Sequence, residues 1–189
     1  MSAKYECVLP FERGETYGNR GLVTMASDTA QDLEGRCFEI DDTINNTPKK
    51  VVLRIVRNGS GGALTCAKKF FKYGTSAGQL GRVITGLCDS AGMIGKPMDE
   101  KYVDDGLTSI DANDLFYVIE AGPTKVLTEA SAVSLSAHAA LATDANGLIN
   151  GAAAAAGEAV LATLDSAATS TNTATLIFVK ADAVDSDAA

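Results

Sequence analysis

The sequence predicts an all-β protein: mainly antiparallel strands in a barrel- or sandwich-like arrangement, an extended N-terminal arm, and few or no long helices. Three observations lead there. Short runs of β-branched and aromatic residues recur, at 50–57 (KVVLRIVR), 82–88 (RVITGLC), 115–119 (LFYVI) and 174–180 (ATLIFVK), the composition that fits a pleated, buried surface. Glycine, asparagine and proline punctuate these runs, at 58–62 (NGSGG), Gly122-Pro123 and 144–147 (DANG), where the backbone needs a positive φ or ends a ladder. The richest alanine stretch, 151–157, holds five alanines between glycines, too few to nucleate a helix in water.

These signals give a plan for the whole chain. Residues 1–20 are polar with scattered anchors, Tyr5, Leu9 and Phe11 among them, and read as an extended arm lying along a neighbour. One β-rich domain follows over 21–180, with a basic hairpin at 49–82, and then an acidic tail over 181–189, expected to be disordered. Within the domain, 21–26 suits a short strand, and 27–34 a loop or a helical turn capped by Ser27 or Asp28. Residues 36–40 suit a strand and 41–48 a turn-rich connection. The run at 50–57 pairs through the NGSGG loop with 64–73 into a long ribbon. After the strand at 82–88, residues 89–97 read as a loop and 98–114 as acidic and irregular. Residues 115–150 then form an antiparallel meander: a strand, a turn at Gly122-Pro123, a return strand at 125–128, a loop of small residues, a strand at 139–143, and a tight turn whose Asn146-Gly147 leads into Leu148 and Ile149. The last strand is 174–180.

The C-terminal half, from about Gly86 to Lys180, resembles the capsid decoration (cement) proteins of tailed bacteriophages. The residues carrying the resemblance are a strand ending in Gly-Pro, a Val-containing return, a loop of small residues, an Ala/Thr strand, Asp144-Ala145-x-Gly147, an Ala-rich segment with Gly157, and a final apolar strand. The resemblance implies a structural virion protein on the exterior of a phage head, made in the bacterial cytoplasm. It would bind the major capsid protein and itself, as a homotrimer, and stabilise contacts between capsid subunits, with no active site and no cofactor. The alternative is a receptor- or carbohydrate-binding β-module of a head or tail fibre; sugar sites use aromatic platforms, and this chain has no Trp and five Tyr.

Composition bounds the rest. A 189-residue chain can bury a core without disulfide staples. With 46% hydrophobic but only 6% aromatic residues, that core is built of β-branched and small side chains, which favours completion by association with other copies. The four cysteines, at 7, 37, 66 and 88, show no paired ligand spacing and read as reduced, buried hydrophobes. The N-terminus is charged throughout, and no apolar run approaches a membrane span, so no membrane partner is expected.

Charge is unevenly placed. Of 16 basic residues eight fall within 49–82, which contains no Asp or Glu, so the net −8 conceals −16 elsewhere. On a hairpin, Lys49, Lys50, Arg54 and Arg57 on one strand and Lys68, Lys69 and Lys72 on the other make a basic ribbon. Two readings stand side by side: a docking surface for an acidic partner, or lysines that protect an exposed edge. A sequence pI of about 4.6 and the lack of a binding motif speak against nucleic acid. The sole histidine, His138, has no sequence neighbours for a triad. The acid pairs Asp41-Asp42, Asp99-Glu100 and Asp104-Asp105 lack the spacing of a calcium loop, and neither glycine cluster ends in the Lys-Ser/Thr of a phosphate loop. The expectation is therefore a binding protein and not an enzyme.

Overall fold

A computed structural model describes residues 9–18, 33–44, 47–88, 95–131, 133–155 and 159–185. Tyr5, the strand expected at 21–26 and the cap at Ser27 or Asp28 lie outside the described residues. Among the described residues the chain is all-β, with one small helix and no closed barrel. Its strands are β1 (Cys37–Ile44), β2 (Thr47–Asn58), β3 (Leu64–Thr65), β4 (Phe70–Tyr73), β5 (Val83–Leu87), β6 (Gly95–Pro97), β7 (Ser109–Ile110), β8 (Leu115–Leu127), β9 (Ala140–Leu141), β10 (Ala159–Leu164) and β11 (Ala174–Asp185); α1 is the single turn Lys101–Asp104. Nine strands form one mixed sheet in the order β6-β4-β5-β2-β8-β11-β10-β9, with β1 also on β2, while β3 and β7 pair separately.

Strand β8 is the spine. Leu115 to Ile119 are all buried, as a continuous apolar run requires of a strand covered on both faces. The expected turn at Gly122-Pro123 is not a turn: β8 runs through it as one strand of 13 residues. Three local features let it do so. Val52 pairs with Ala121 and Leu53 with Ile119, so Glu120 is an extra residue in a bulge. Gly122, at φ +106°, lies where a Cβ would sit 2.7 Å from the Lys50 carbonyl oxygen, a conformation and a gap that only glycine fills. Pro123, which has no N–H to give, falls where β8 leaves β2 and takes up β11, opposite Phe178. The Gly-Pro pair thus changes the strand's partner instead of its direction.

The ribbon expected over 49–82 does not form either, because β5 stands between β2 and β4 and pairs with β2 in parallel at Arg57↔Val83 and Asn58↔Ile84. Asn58 redirects the chain. Fully buried, its Nδ2 lies 2.8 to 3.0 Å from the carbonyls of Gly62, Ile110 and Asp111, and its Oδ1 accepts from Ser60 N and Oγ. That fastens the NGSGG loop to β7 and sends Leu64 to pair with Ile110. The region 41–48, expected to be turn-rich, is strand on both sides, with Ile44 opposite Thr47. At the other end, β11 continues through Asp185, pairing with 159–160, so residues 181–185 belong to the sheet and not to a disordered tail.

The turn at 144–147 forms as read, though Asp144 organises it: its Oδ1 accepts from Asn146 N and Leu148 N, both at 2.8 Å, and only Gly147 of the pair has positive φ. The buried Gly147 accepts from Phe70 N at 2.8 Å through its carbonyl, tying the turn to β4. The core is continuous across the sheet, from Leu53, Ile55 and Ile84 through Phe116, Tyr102 and Met98 to Leu161 and Ile177.

Candidate docking surface

The sequence singled out two groups for partner binding, the basic side chains of 49–82 and the apolar anchors of the arm. The fold treats them differently from the expectation. Lys50 pairs with Glu39, both well exposed, Arg54 Nε meets Glu120 Oε2 at 2.6 Å, Arg57 Nε meets Glu34 Oε1 at 2.5 Å, and Lys68 Nζ meets Asp104 Oδ1 at 3.3 Å. Their carboxylates all come from outside 49–82, so the sequence-level asymmetry is in large part cancelled by folding. Lys69 and Lys72 are half-buried, and Lys49 lies in β2 without a described side chain. Among the described side chains no continuous basic ribbon results.

The bulge at Glu120 builds the most enclosed of these pairings. Its carboxylate takes Arg54, lies 3.4 Å from Lys96 Nζ, and accepts from the Tyr73 hydroxyl at 3.4 Å, while Lys96 Nζ donates to the Glu120 carbonyl at 2.9 Å. Burial, reinforced by the Glu120 charge, pushes the Tyr73 phenol well above its ordinary value, so it stays a neutral donor. The sequence hinted at this only through a charged residue inside an apolar run, since the bulge that aims Glu120 depends on strand register.

The arm is docked on its own domain. Phe11 stacks on Tyr117 with ring centroids 4.3 Å apart, and the Tyr117 hydroxyl donates to the Phe11 carbonyl at 3.0 Å. Tyr17 and Leu115 exchange backbone bonds at 2.9 and 3.1 Å. Between them Arg13 forks onto Asp99, Nε to Oδ2 at 2.5 Å and Nη2 to Oδ1 at 2.6 Å, with Nη1 on Asp42 at 2.5 Å. Burial works against the guanidinium's charge, but Asp99 and Asp42 together hold its pKa above the ordinary value. Gly14, buried at φ +83°, packs so closely on Asp105 that a Cβ would overlap its carboxylate. Residues 9–18 are therefore a strap across the start of β8, and Leu9 and Phe11 pack against the core.

Arg13 was not among the expected site residues. Its signal was visible as a lone cation among Phe11, Glu12 and Glu15, but its partners lie 29 and 86 positions away. Along the strap runs an open groove of about 690 Å³ lined by Leu9, Phe11, Glu12, Arg13, Lys101 and Asp105. At the far side of the β2–β8 pair, the loop between β4 and β5 holds out Leu80, 61% exposed.

Among the described residues the groups that could do chemistry are not gathered. Of the cysteines expected to be buried, Cys88 is, Cys66 is half-buried and Cys37 is exposed; such burial as they have raises the Cys37 thiol and pushes Cys66 up to about 11, the reverse of an activated nucleophile. His138 is exposed, at φ +64° in its loop. Among the described residues no three His, Cys, Asp or Glu side chains gather as a ligand set. Fold and site together define a strand-rich scaffold in which several cations of 49–82 are paired with carboxylates from elsewhere in the chain. No protein-family model and no curated protein matches the sequence. A similar solved structure is the N base of the head fiber gp8.5 in bacteriophage phi29, at 10% identity and a TM-score of 0.44, covering 70% of this chain and 98% of that one.

Proposed function

We propose that this chain is a structural virion protein, a decoration or cement protein that binds the exterior of a tailed-phage head as a homotrimer and stabilises contacts between major capsid protein subunits. The observation that supports the reading is how the polar groups are used. Arg13, Arg54, Arg57 and Lys96 tie together segments far apart in sequence, so the side chains that elsewhere make catalytic sites here make a rigid body. The resemblance over 86–180 points the same way; of its motifs the turn at 144–147 is formed, while the strand does not end at Gly122-Pro123. Such a protein works by binding alone: a ligand that binds only the assembled lattice, at 100 times its Kd, adds about 2.7 kcal/mol against opening at each site.

The test is co-sedimentation with expanded, undecorated heads of the phage whose genome encodes the protein, followed by thermal opening of those heads. Saturable binding with a fixed number of copies per capsid subunit, and opening at a higher temperature, is the expected result. Because four of the ribbon's basic side chains already hold carboxylates of their own chain, binding should persist at about 0.5 M salt, where long-range attraction is screened. Heads that neither bind the protein nor gain stability from it would sink the proposal.

A further inference from the structure

Three asparagines of this chain precede a glycine, Asn58, Asn146 and Asn150. With no Cβ to shield it, a glycine nitrogen can attack the preceding side-chain amide carbon and close a five-membered succinimide. The fold treats the three pairs differently. Asn58 is locked: its Nδ2 donates to the carbonyls of Gly62, Ile110 and Asp111, so it cannot leave as ammonia without breaking all three bonds, and Gly59 N is committed to Ile84 O at 2.8 Å. At Asn146 the glycine N–H faces only the Asp144 carbonyl oxygen, at 3.3 Å, an acceptor that takes no proton. At Asn150 the acceptor is a carboxylate, Gly151 N–H donating to Glu129 Oε1 at 2.6 Å. The electrophile is set as well. Ala152 N–H donates to Asn150 Oδ1 at 3.3 Å, which folds the side chain back over the Gly151 peptide and puts a donor on the oxygen where negative charge would develop. Both sides of the site are pinned by backbone bonds, Glu129 N to Ile149 O at 2.9 Å, Asn150 N to Ala142 O at 3.0 Å and Ser134 N to Gly151 O at 2.9 Å. Asn150 is half-buried and Ala152 exposed, so the site is open to water.

We propose that Asn150 is a self-modifying site whose base is Glu129. The Glu129 carboxylate takes the Gly151 amide proton as the nitrogen's electron pair forms a bond to Asn150 Cγ, and Oδ1 carries the charge of the tetrahedral intermediate beside Ala152 N–H. The Cγ–Nδ2 bond then breaks, and the nitrogen leaves as ammonia with the proton returned by Glu129. Water adds to one of the two carbonyls of the succinimide and opens it to aspartate or to isoaspartate. Glu129 meets the geometric demand on a general base, about 2.6–3.2 Å from the atom it deprotonates, and nucleophile and electrophile are neighbours in one chain, so water is the only co-reactant. The change is one-way. Aspartate sets a second carboxylate beside Glu129, and isoaspartate lengthens the main chain between the Asn150–Ala142 and Gly151–Ser134 bonds, so either product loosens the join between 133–135 and 141–143. The inference is independent of the decoration reading, since it needs only the folded chain.

The experiment follows the full chain over time at neutral pH, folded in buffer and unfolded in urea, with fragment-ion mass spectrometry to place each loss of ammonia or conversion of asparagine at one residue. In the folded protein Asn150 should convert ahead of Asn146, with Asn58 unchanged, and faster than the same residue does in urea, where the three pairs lose their distinctions. Glu129→Gln keeps an oxygen to accept from Gly151 N–H but removes the base. It should slow Asn150 about tenfold or more in the folded protein, leave Asn146 alone, and make no difference in urea. The comparison of folded with unfolded wild type needs no variant, so it decides the matter even if Glu129→Gln lowers the melting temperature. Asn150 converting no faster folded than unfolded, Asn146 keeping pace with it in the folded protein, or a rate unchanged in a folded Glu129→Gln would each overturn the proposal.

Discussion

Two residues answer in opposite ways to replacement by a close relative, each for a reason the neighbouring atoms supply. Gly147 combines φ of +72° with a Cβ position 2.5 Å from the Phe70 carbonyl oxygen. Gly147→Ala should cost about 1–3 kcal/mol, read as a lower urea midpoint with an unchanged slope, whereas Ala at the unobstructed Gly62 should cost far less. Glu100 is the opposite case, a residue whose replacement should help. Burial raises its carboxyl above the ordinary 4.5, with Lys68 and Lys125 working against that shift and Asp104 and Asp99 adding to it, and Oε2 is buried without a partner. A folded-state carboxyl that holds its proton more tightly than the unfolded one stabilises the fold at low pH and loses that contribution as pH rises through the folded value. Glu100→Gln should therefore be more stable than the wild type at pH 7, with the advantage shrinking as pH falls and gone below about 4; an advantage independent of pH would assign it to packing instead.

At the scale of the element, the strap carries the sharpest prediction. Asp99 is fully buried and takes two bonds from Arg13, so Arg13→Ala leaves an uncompensated buried carboxylate and should cost about 3–5 kcal/mol, against less for Asp42→Ala, whose carboxylate is 14% exposed. Deleting residues 1–18 should likewise lower the melting temperature, since it uncovers Tyr117 and strips Asp99; a truncated protein that melts like the full chain would return these residues to the status of a free arm. Strand positions were legible in the sequence wherever local composition decides them: 50–57, 82–88, 115–119 and the turn at 144–147 needed no knowledge of partners. What could not be read was pairing. Whether Gly122-Pro123 reverses a strand or hands it from β2 to β11 depends on the Lys50 carbonyl approaching from a strand seventy residues earlier. Whether β2 turns back on β4 depends on the buried amide of Asn58, which reaches Ile110 and Asp111. The pairing of the basic side chains was hidden for the same reason. A charge run announces cations, but the carboxylates of Glu34, Glu39, Asp104 and Glu120 reach it only through the fold.

For the whole molecule, the course of β8 sets how the protein unfolds. Its first half pairs with β2, which carries β1 and β5, and its second half with β11, which carries β10 and, through it, β9. No strand boundary separates the two halves, and the core crosses between them without a break. Melting one half therefore frees half of a strand that the other half needs, which is the structural condition for all-or-none behaviour. Far-ultraviolet circular dichroism reports all strands, while Tyr73, Tyr102 and Tyr117, all buried on the β2 side, dominate the near-ultraviolet signal. The two probes should give coincident urea transitions. Gly122→Val tests the seam itself, because the new side chain meets the Lys50 carbonyl at the point where β8 changes partner. It should lower the midpoint and, if the handover is what couples the halves, shift the aromatic transition ahead of the overall one. Two separated transitions in the wild type would mean instead that the β2 and β11 sides fold as independent units joined by a shared strand.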